Sequence, residues 1–264
     1  MSNLQHCLST LNYVGKELLD KMNINADCLV INQCDKLDYE KTNYKEHHLE
    51  IISVPERGIS KSREVALNRC SGDIIILSDD DVRYYKGYEK IIKKVFDKHP
   101  EADMVCFKIN RLNSDNRKNI KHSKFKRVHF YNGLRYGAIN FVFRRRSIVK
   151  NNIHFHRMFG SSIYGSGEDT LFMIDALKKG LIVYSIDLAI GEVDMSTSSW
   201  FDGYNKRYFI NRGALFEAIS SKFAYVLCMQ FYIRHKELFD DVDYKTAMRY
   251  MNIGRRRYRH YGRY

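Results

Sequence analysis

Four consecutive apolar residues at positions 74–77 (IIIL) stand between Ser71-Gly72-Asp73 and three successive aspartates. A run this short, without polar alternation, predicts a strand buried on both faces rather than a helix. A strand of this kind lies in the interior of a sheet that is covered by helices on both sides. The chain must therefore supply helices as well as further strands.

The remaining segments supply both kinds of element in alternation. Strand-like apolar runs occupy residues 4–8, 27–31, 50–54, 104–109, 138–144 and 181–186. Helix-like spacing of apolar residues occupies residues 15–22, 60–70, 88–98 and 168–179. This order predicts an open α/β fold with a mostly parallel central sheet and helices on both faces.

Three other regions lack this alternation. The polar and charged residues 36–50 predict a loop, and the basic, polar residues 110–131 predict an insertion over the sheet. From about residue 205 the sequence is aromatic and helical. We therefore expect a helical C-terminal region after the α/β part.

Composition narrows the class of protein and of partner. The 264 residues are 44% hydrophobic and carry a formal net charge of +13, which indicates a globular protein with an anionic partner. Such partners are nucleic acids, membrane surfaces and phosphorylated small molecules. The longest apolar stretch, residues 223–233, is shorter than the ~20 residues of a membrane-spanning helix, and the N-terminus lacks a signal-peptide pattern. The six cysteines lack zinc-site spacing, so we expect free thiols in a cytoplasmic protein.

The strongest chemical signal is the triplet Asp79, Asp80 and Asp81 directly after the apolar strand. Three adjacent carboxylates repel one another and must be solvated, protonated or neutralised by a cation. Open α/β sheets bind ligands at the carboxyl ends of their strands, where oxygen ligands suit Mg²⁺ or Mn²⁺. The triplet thus predicts a metal site, and the alternative is an acidic turn before the next helix.

A second acidic pair, Glu168 and Asp169, follows Gly165-Ser166-Gly167 at the start of a predicted helix. Acids in a first helical turn are favoured by the helix dipole, which is a purely structural explanation. Alternatively, one of them projects into a cleft as a general base, and the flanking glycines would allow a ligand to approach closely.

A third feature is the helix start at residues 58–63 (GISKSR). Backbone N–H groups together with Lys61 and Arg63 could hold a phosphate, although the P-loop spacing is absent. The structural alternative is a solvated basic face of a helix.

These three features occur together and in one order. Residues 58–67 (GISKSREVAL) and 71–81 (SGDIIILSDDD), followed by 167–169 (GED) with Phe172, closely resemble family 2 glycosyltransferases of the GT-A fold. Residues 199–205 (SWFDGYN) and 212–215 (RGAL) resemble a bacterial branch that builds surface polysaccharides. The resemblance covers about residues 4–220.

The resemblance implies roles for the residues that bind the donor. Asp79–Asp81 corresponds to the family's Asp-x-Asp motif, in which Asp79 faces the nucleoside ribose and Asp81 binds the Mn²⁺ or Mg²⁺ ion that bridges the donor diphosphate. The metal set is therefore Asp81 with Asp79. The residues expected to bind the donor are Ser9, Thr10, Asn32, Arg63, Asp79 and Asp80.

One donor position and one metal position differ from the family pattern. Asn32 stands where an aspartate usually reads uracil, and an amide can still bond to that edge, which keeps UDP as the expected donor. Many relatives also have a histidine after the last core strand as a further metal ligand. Here Glu192 and Asp194 are the nearby polar residues.

The same resemblance implies the catalytic and acceptor residues. Asp169 corresponds to the catalytic base, with Glu168 as the second candidate, and Trp200 and Tyr204 are expected on the acceptor side. The implied reaction is inverting transfer of a sugar from a nucleotide-diphosphate donor to a hydroxyl of a glycan or lipid-linked acceptor. The implied pathway is bacterial capsule or O-antigen-type polysaccharide synthesis.

The C-terminal residues 249–264 contain six arginines and no acid. Such a segment is either a disordered solubilising tail or a contact to an anionic membrane, at about 1 kcal/mol per cation. The membrane interpretation fits a lipid-linked acceptor and predicts peripheral association with the inner face of the plasma membrane.

Two alternative functions stay open at this point. The basic, Arg/Tyr-rich tail is compatible with a nucleic-acid-binding protein. Nucleic acid is nevertheless not the expected partner, because known binding motifs are absent and the aspartates would repel its backbone. The other alternative is a catalytically inactive GT-A scaffold.

The sequence predicts two regions. Residues 1–204 form a GT-A catalytic domain, with a nucleotide-sugar half at about 1–109 and an acceptor half at about 110–204. Residues 205–264 form a helical, basic C-terminal region.

Overall fold

The structure is a computed structural model that describes residues 2–113, 124–194, 203–239 and 242–262. The strands are β1 Leu4–Leu11, β2 Asp27–Gln33, β3 Asp38–Tyr44, β4 His47–Val54, β5 Ile74–Asp79, β6 Val82–Tyr84, β7 Met104–Leu112, β8 Phe125–Arg127, β9 Phe141–Arg144 and β10 Val183–Asp194. The α-helices are α1 Lys16–Lys21, α2 Ile59–Arg69, α3 Tyr88–Lys98, α4 Phe130–Gly133, α5 Arg145–Lys150, α6 Glu168–Lys178, α7 Lys206–Ile219, α8 Ala224–His235 and α9 Tyr244–Tyr261.

The described strands form one sheet in the order β3-β4-β2-β1-β5-β9-β7-β10-β6, and β8 pairs with β10. Strands β4, β2, β1 and β5 are parallel, as are β7 and β10. Strand β9 is antiparallel to both β5 and β7, so β7 runs in the direction of β5. Most strands of the described sheet therefore share one direction, which confirms the predicted α/β fold.

Strand β5 lies in the interior of the sheet, between β1 and β9. Residues Ile74 to Leu77 are at most 1% exposed, because apolar cores cover both faces of the strand. Ile76 belongs to the core beneath α1 and α3, and Ile75 belongs to the core beneath α2 and α6. The two helical layers thus hold the carboxyl end of β5 in a fixed position.

Two local predictions were wrong. The predicted loop at residues 36–50 contains β3, the turn at residues 45–46 and the first four residues of β4, and the two strands pair as an antiparallel hairpin. Strand β3 is polar and lies at the sheet edge, so it lacks the apolar alternation from which a strand is predicted. The strand predicted at residues 138–144 begins as a 3-10 helix, Ala138–Asn140, and only Phe141–Arg144 is extended.

The C-terminal helices form a compact region, as predicted for the fold. Helices α7, α8 and α9 surround their own apolar core, which includes Phe209, Phe216 and Met251. A smaller core with Leu171 and Leu215 joins α6 to α7. The C-terminal region is therefore packed directly behind the start of α6.

The arginine-rich segment is not a disordered tail over the part that the structure describes, because it forms most of α9. Two of its arginines bind the buried carboxylate of Glu217 on α7, with Arg255 Nε 3.1 Å from Oε2 and Arg259 Nε donating to Oε1. Burial alone would raise the pKa of Glu217, but the hydrogen bonds from Arg259 and Arg255 lower it. These two cations thus have a structural role.

Candidate active site

The carboxyl ends of β1, β2 and β5 lie side by side and bring together the residues predicted to bind a donor. Ser9 of β1 pairs in register with Asp79 of β5, and Thr10 pairs with Asn32 of β2. Thr10 Oγ1 donates to Asp80 Oδ2 at 2.5 Å. The parallel register therefore gathers these five side chains at one edge of the sheet.

Helix α2 crosses this edge and is fastened to it. Ser62 Oγ donates to Ser9 Oγ at 2.8 Å, and the Gly58 N–H donates to Gln33 Oε1 at 2.7 Å. The φ of Gly58 is +128°, a value that glycine tolerates best. This start of α2 aims Arg63 at the end of β5.

Arg63 joins the two groups of acids that the sequence separates by almost ninety positions. Its guanidinium donates to both oxygens of Asp79, at 2.8 and 3.0 Å, and to Glu168 Oε1 at 2.9 Å. The Arg63 residue is 5% exposed. Burial alone would lower the pKa of Arg63, but the charges of Asp79 and Glu168 raise it above its usual value. The acidic groups at the end of β5 and at the start of α6 therefore belong to one site.

Glu168 and Asp169 occupy different environments although they are neighbours. Glu168 is buried, and its Oε2 accepts a hydrogen bond from the Gly167 N–H at 3.1 Å. Burial, together with the charge of Asp169, raises the pKa of Glu168 to about 7, even though Arg63 opposes the shift. Asp169 is only partly buried, and its Oδ1 accepts from the Thr170 N–H at 2.7 Å. Among the described residues, Asp169 Oδ2 accepts no hydrogen bond, so this oxygen is available to a ligand.

The geometry of α6 depends on close packing behind it. Gly167 has a φ of +120°, and a Cβ atom there would lie 2.8 Å from the Leu215 side chain of α7. A Cβ atom at Gly137 would lie 3.3 Å from Asp169 Oδ2. The two glycines thus leave room for α7 on one side of the acidic pair and for the carboxylate of Asp169 on the other.

The three aspartates at the end of β5 differ in their hydrogen bonds to other protein groups. Asp79 binds Arg63 through both oxygens, and Asp80 accepts from Thr10. Asp81 is exposed, and partial loss of water, together with the charges of Asp79 and Asp80, raises its pKa to about 6. A cation near Asp81 would relieve this repulsion.

Residues at the end of β10 approach the same edge. Val193 pairs with Val82 at the end of the antiparallel ladder to β6, so Asp194 and Asp81 each lie one residue beyond the last register pair. Asp194 accepts a hydrogen bond from Asn113 Nδ2 at 3.3 Å. Glu192 accepts a hydrogen bond from Tyr85 Oη at 3.0 Å. Over the described residues, His, Cys, Asp and Glu side chains do not form a ready group of three that could hold a metal. The residues present fit a cation held by one or two carboxylates and by a ligand's phosphates, which is the usual arrangement for Mg²⁺.

The three remaining predicted residues, Asn32, Tyr204 and Trp200, have different outcomes. Asn32 uses its Oδ1 to accept from the Tyr13 N–H at 2.8 Å and its Nδ2 to donate to Ser53 Oγ at 3.0 Å. Its amide is thus oriented by the protein before any base binds. Tyr204 lies near Tyr208 and Phe239, and Trp200 lies outside the residues that the structure describes.

The structure adds residues that the sequence did not single out. Gln33, Ser62 and Gly137 contact the site through α2 and α6, and Ser78 of β5 belongs to a buried network with His6 and Tyr84. Ser62 stood within the recognised motif, but its partner could be identified only from the fold. The other residues carry no distinctive pattern of their own in the sequence.

Comparisons with known proteins identify the fold and the family. Structures of TarS from S. aureus resemble the chain: residues 1–349 in complex with UDP-GlcNAc match with a TM-score of 0.69 and 17% identity over 95% of this chain and 79% of that one. The same fragment in complex with UDP matches with a TM-score of 0.63 and 14% identity, over 99% and 92% of the two chains. A longer TarS structure matches over 92% of this chain and 46% of its own length, at 15% identity and a TM-score of 0.63.

These identities are low enough that the likeness establishes the GT-A fold alone. No functionally curated protein matches the chain in sequence. The family model described as "Glycosyl transferase family 2" matches residues 9–181, which is well over half of the chain and includes every acidic residue of the candidate site except Glu192 and Asp194. The chain therefore belongs to glycosyltransferase family 2.

Proposed function

We propose that this glycosyltransferase is an inverting, metal-dependent enzyme that transfers a sugar from UDP to a hydroxyl of a glycan or lipid-linked acceptor. The observation that supports this best is the Arg63 bridge between Asp79 and Glu168. It joins the end of β5, where a donor diphosphate would lie, to the start of α6, where a base would act. Without that connection, the two acidic groups could serve unrelated purposes.

The donor site consists of Ser9, Thr10, Asn32, Arg63, Asp79 and Asp80 in this proposal. Asn32 faces the uracil, since its amide is already oriented by Tyr13 and Ser53. The UDP and UDP-GlcNAc complexes of TarS, which has the same fold, support a UDP donor. The sugar itself depends on contacts beyond these six residues.

Asp81 is the principal metal ligand in this proposal, because its carboxylate is exposed while those of Asp79 and Asp80 bind protein groups. Asp79 would serve as a second ligand through its remaining lone pairs, and Asp194, one residue beyond the register pair of Val193 with Val82, is a candidate for a third. When bound, Mn²⁺ or Mg²⁺ would neutralise charge on the leaving diphosphate.

Asp169 is the catalytic base in this proposal, and Glu168 positions Arg63. Asp169 Oδ2 takes the proton of the acceptor hydroxyl while that oxygen attacks the anomeric carbon. The bond from this carbon to the diphosphate oxygen breaks at the same time, and the nucleotide leaves with the electron pair. A general base typically contributes about 10²–10⁴-fold to the rate. Glu168 is less suited to this role because its oxygens face Arg63 and Gly167 inside the protein.

The proposed setting is bacterial cell-surface polysaccharide synthesis of the capsule or O-antigen type, in the cytoplasm. Arg249, Arg256 and Arg257 of α9 are exposed and are candidates for contact with the inner face of the plasma membrane. In the described residues, helices are too short or too polar to cross a membrane. The proposed division is a catalytic domain at 1–204, with halves at about 1–109 and 110–204, and a helical region at 205–264.

Calorimetric titration with UDP tests the donor and metal sites together. We expect UDP to bind in the presence of Mn²⁺, and Asp81→Ala to abolish the gain in affinity that Mn²⁺ provides. Asp97→Ala removes an exposed carboxylate from α3 and is the matched control. Unchanged Mn²⁺-dependent binding in Asp81→Ala would remove Asp81 from the metal site.

A panel of nucleotide sugars then distinguishes an active enzyme from the two alternatives. Slow hydrolysis of one UDP-sugar is expected of an active transferase, whereas an inactive scaffold would bind without hydrolysis. Oligonucleotide binding at moderate salt, without UDP binding, would instead favour a nucleic-acid-binding protein. The ion pairs of Arg255 and Arg259 with Glu217 argue against nucleic-acid binding, because these two arginines are then not available to contact phosphates.

A further inference from the structure

A cavity of about 540 Å³ lies between α4, the first turn of α6, and the helices α7 and α8. Thr170 contributes to its wall, and this residue directly follows the proposed base Asp169. The volume is within the range of ligand-binding pockets. The cavity is therefore large enough for part of a substrate, and its wall includes the residue next to the candidate base.

The charge of this cavity is strongly one-sided. Three arginines line it, Arg135, Arg212 and Arg234, and its described lining contains neither aspartate nor glutamate. Among the described residues, these three guanidinium groups form no ion pair with a carboxylate, in contrast to Arg255 and Arg259 on α9. A cluster of arginines without neighbouring carboxylates indicates a binding site for an anion.

The position of Arg212 is fixed by aromatic rings. Its guanidinium carbon lies 5.2 Å from the centre of the Tyr208 ring and 5.5 Å from that of Phe231. These contacts hold the charge in place through cation–π attraction while leaving its N–H groups free of carboxylates. A guanidinium that is already oriented loses little entropy when it binds a phosphate.

A further polar group of the cavity wall, His235, lies near Arg212 and Arg234. It lies on the cavity wall, and its pKa is lowered by burial and by the charges of Arg212 and Arg234. Both arginines thus act on the same ring. An anion bound between them would reverse this effect and raise the pKa of His235.

The remaining lining offers flat rings beside the arginines. Tyr204, Tyr208 and Phe231 line the cavity, and Tyr204 and Tyr208 meet edge to face with centroids 5.1 Å apart. Aromatic rings with hydroxyl groups can cover the apolar face of a sugar and bond to its hydroxyls. The lining therefore combines groups for a phosphate with groups for a sugar or polyol.

We propose that this cavity binds the acceptor and that the acceptor carries a phosphate ester next to the sugar or polyol that receives the new residue. The inference rests on the proposed function, because it assigns the cavity beside Asp169 to that reaction. Arg212 and Arg234 hold the phosphate, and the aromatic rings hold the adjoining sugar or polyol. A phosphodiester polymer and a lipid-linked sugar diphosphate both present this chemistry.

Glucose 1-phosphate is a suitable probe, with glucose as its uncharged partner. Calorimetry is done with Mn²⁺ and saturating UDP, so that the donor site is filled and does not compete. We expect glucose 1-phosphate to bind and glucose not to. The Arg212→Gln/Arg234→Gln variant should weaken binding of glucose 1-phosphate by at least about tenfold, because it removes both cations that are proposed to bind the phosphate.

Matched controls separate this site from the overall charge. Lys94→Gln/Lys98→Gln removes two exposed cations from α3 on a different part of the surface and should bind the probe like the unmodified protein. Equal UDP affinity in the arginine variant checks that it is folded. Arg234→Gln alone changes only an exposed side chain and should give part of the loss, while Arg212→Lys should retain part of the affinity.

An NMR titration of His235 provides a readout that a merely structural role of the arginines would not change. The pKa of His235 should rise when glucose 1-phosphate is added, and it should stay constant when glucose is added. Binding of a glycerol phosphodiester oligomer is then compared with that of a short-chain prenyl diphosphoglucose. The tighter ligand identifies the polymer or the lipid as the source of the phosphate.

Failure of the inference and failure of the proposed function give different results. If UDP binds but glucose 1-phosphate, the oligomer and the prenyl compound do not, the cavity is not a phosphate site. Equal binding of glucose 1-phosphate by the arginine variant and the unmodified protein would overturn it as well. If glucose 1-phosphate binds through the arginines while UDP does not bind, the cavity assignment holds and the donor proposal fails.

Discussion

Arg63 couples two carboxylates that have different tasks in the proposed reaction. It is buried, and it binds Asp79 at the donor side and Glu168 beside the proposed base. Breaking a buried ion pair on one side costs about 3–5 kcal/mol, because the remaining charge is left without compensation. In the proposed reaction, Glu168 therefore holds Arg63 in position and leaves the role of the base to Asp169.

Substitution of Asp169 tests whether this residue, rather than Glu168, is the catalytic base. Asp169→Asn should reduce transfer by about 10²–10⁴-fold, because an amide cannot accept the hydroxyl proton. Affinity for UDP should be nearly unchanged, because among the described residues Asp169 forms no hydrogen bond with the proposed donor residues and acts on Arg63 only through its charge. Asp175→Asn changes a partly exposed acid on the same helix and is the control. Turnover of Asp169→Asn within about tenfold of the unmodified enzyme would refute its role as the base.

His6 makes the stability of the protein depend on pH. It is fully buried on β1, with Ser78 Oγ at 2.8 Å and Tyr88 Oη at 2.6 Å. Burial, together with the charge of His47, lowers the pKa of His6 from 6.5 to about 3. The unfolded chain therefore binds a proton first as the pH falls, so stability is lost progressively between these two values.

Urea unfolding at pH 7 and pH 5 measures this contribution. His6 alone should cost the protein about 2 kcal/mol of unfolding free energy over that interval. His6→Gln retains hydrogen-bonding capacity but does not titrate, so its stability should fall by that much less between the two pH values. The same fall in both proteins would mean that His6 is protonated equally easily when folded and unfolded.

At the scale of elements, α7 and α9 cross at two glycines. A Cβ atom at Gly213 would lie 1.9 Å from the Met251 carbonyl oxygen, and one at Gly254 would lie 1.9 Å from that of Ile210. Gly213→Ala or Gly254→Ala must push the helices apart and should cost about 1–3 kcal/mol of unfolding free energy. Urea unfolding of both variants measures the loss.

Arg207→Ala is the control for the two glycine variants, because Arg207 is exposed on α7. It should change stability by less than about 0.5 kcal/mol. Glycine variants as stable as this control would contradict the close crossing of α7 and α9.

The same scale shows what the sequence can and cannot predict. Strand β5 and helix α6 were predictable because their apolar runs and terminal residues are local signals. Strand β3 was not, because its polar residues gain their order from seven register pairs with β4. The bridge from Arg63 to Glu168 spans 105 positions and depends on how α2 and α6 are placed by the sheet.

Across the whole molecule, the net charge of +13 is divided among different tasks. Arg63 neutralises acids of the candidate active site, and Arg255 and Arg259 neutralise Glu217 inside the helical region. Arg212 and Arg234 line a cavity, and further cations of α9 face solvent. The net charge is a single sum, whereas the fold places these cations beside buried acids, at the proposed ligand site or on the surface.

The exposed arginines of α9 predict that the whole protein binds to anionic membranes. Arg249, Arg256 and Arg257 should attract vesicles of equimolar phosphatidylglycerol and phosphatidylcholine, at about 1 kcal/mol per cation. Replacing all three with glutamine should weaken co-sedimentation about 100-fold, and added salt should weaken that of the unmodified protein. The control Lys94→Gln/Lys98→Gln, on α3, should bind almost normally if α9 is the contact. Equal losses in both variants would instead mean that vesicle binding depends only on the total charge of the protein. If the unmodified protein does not bind anionic vesicles at all, it does not associate with the membrane through these arginines.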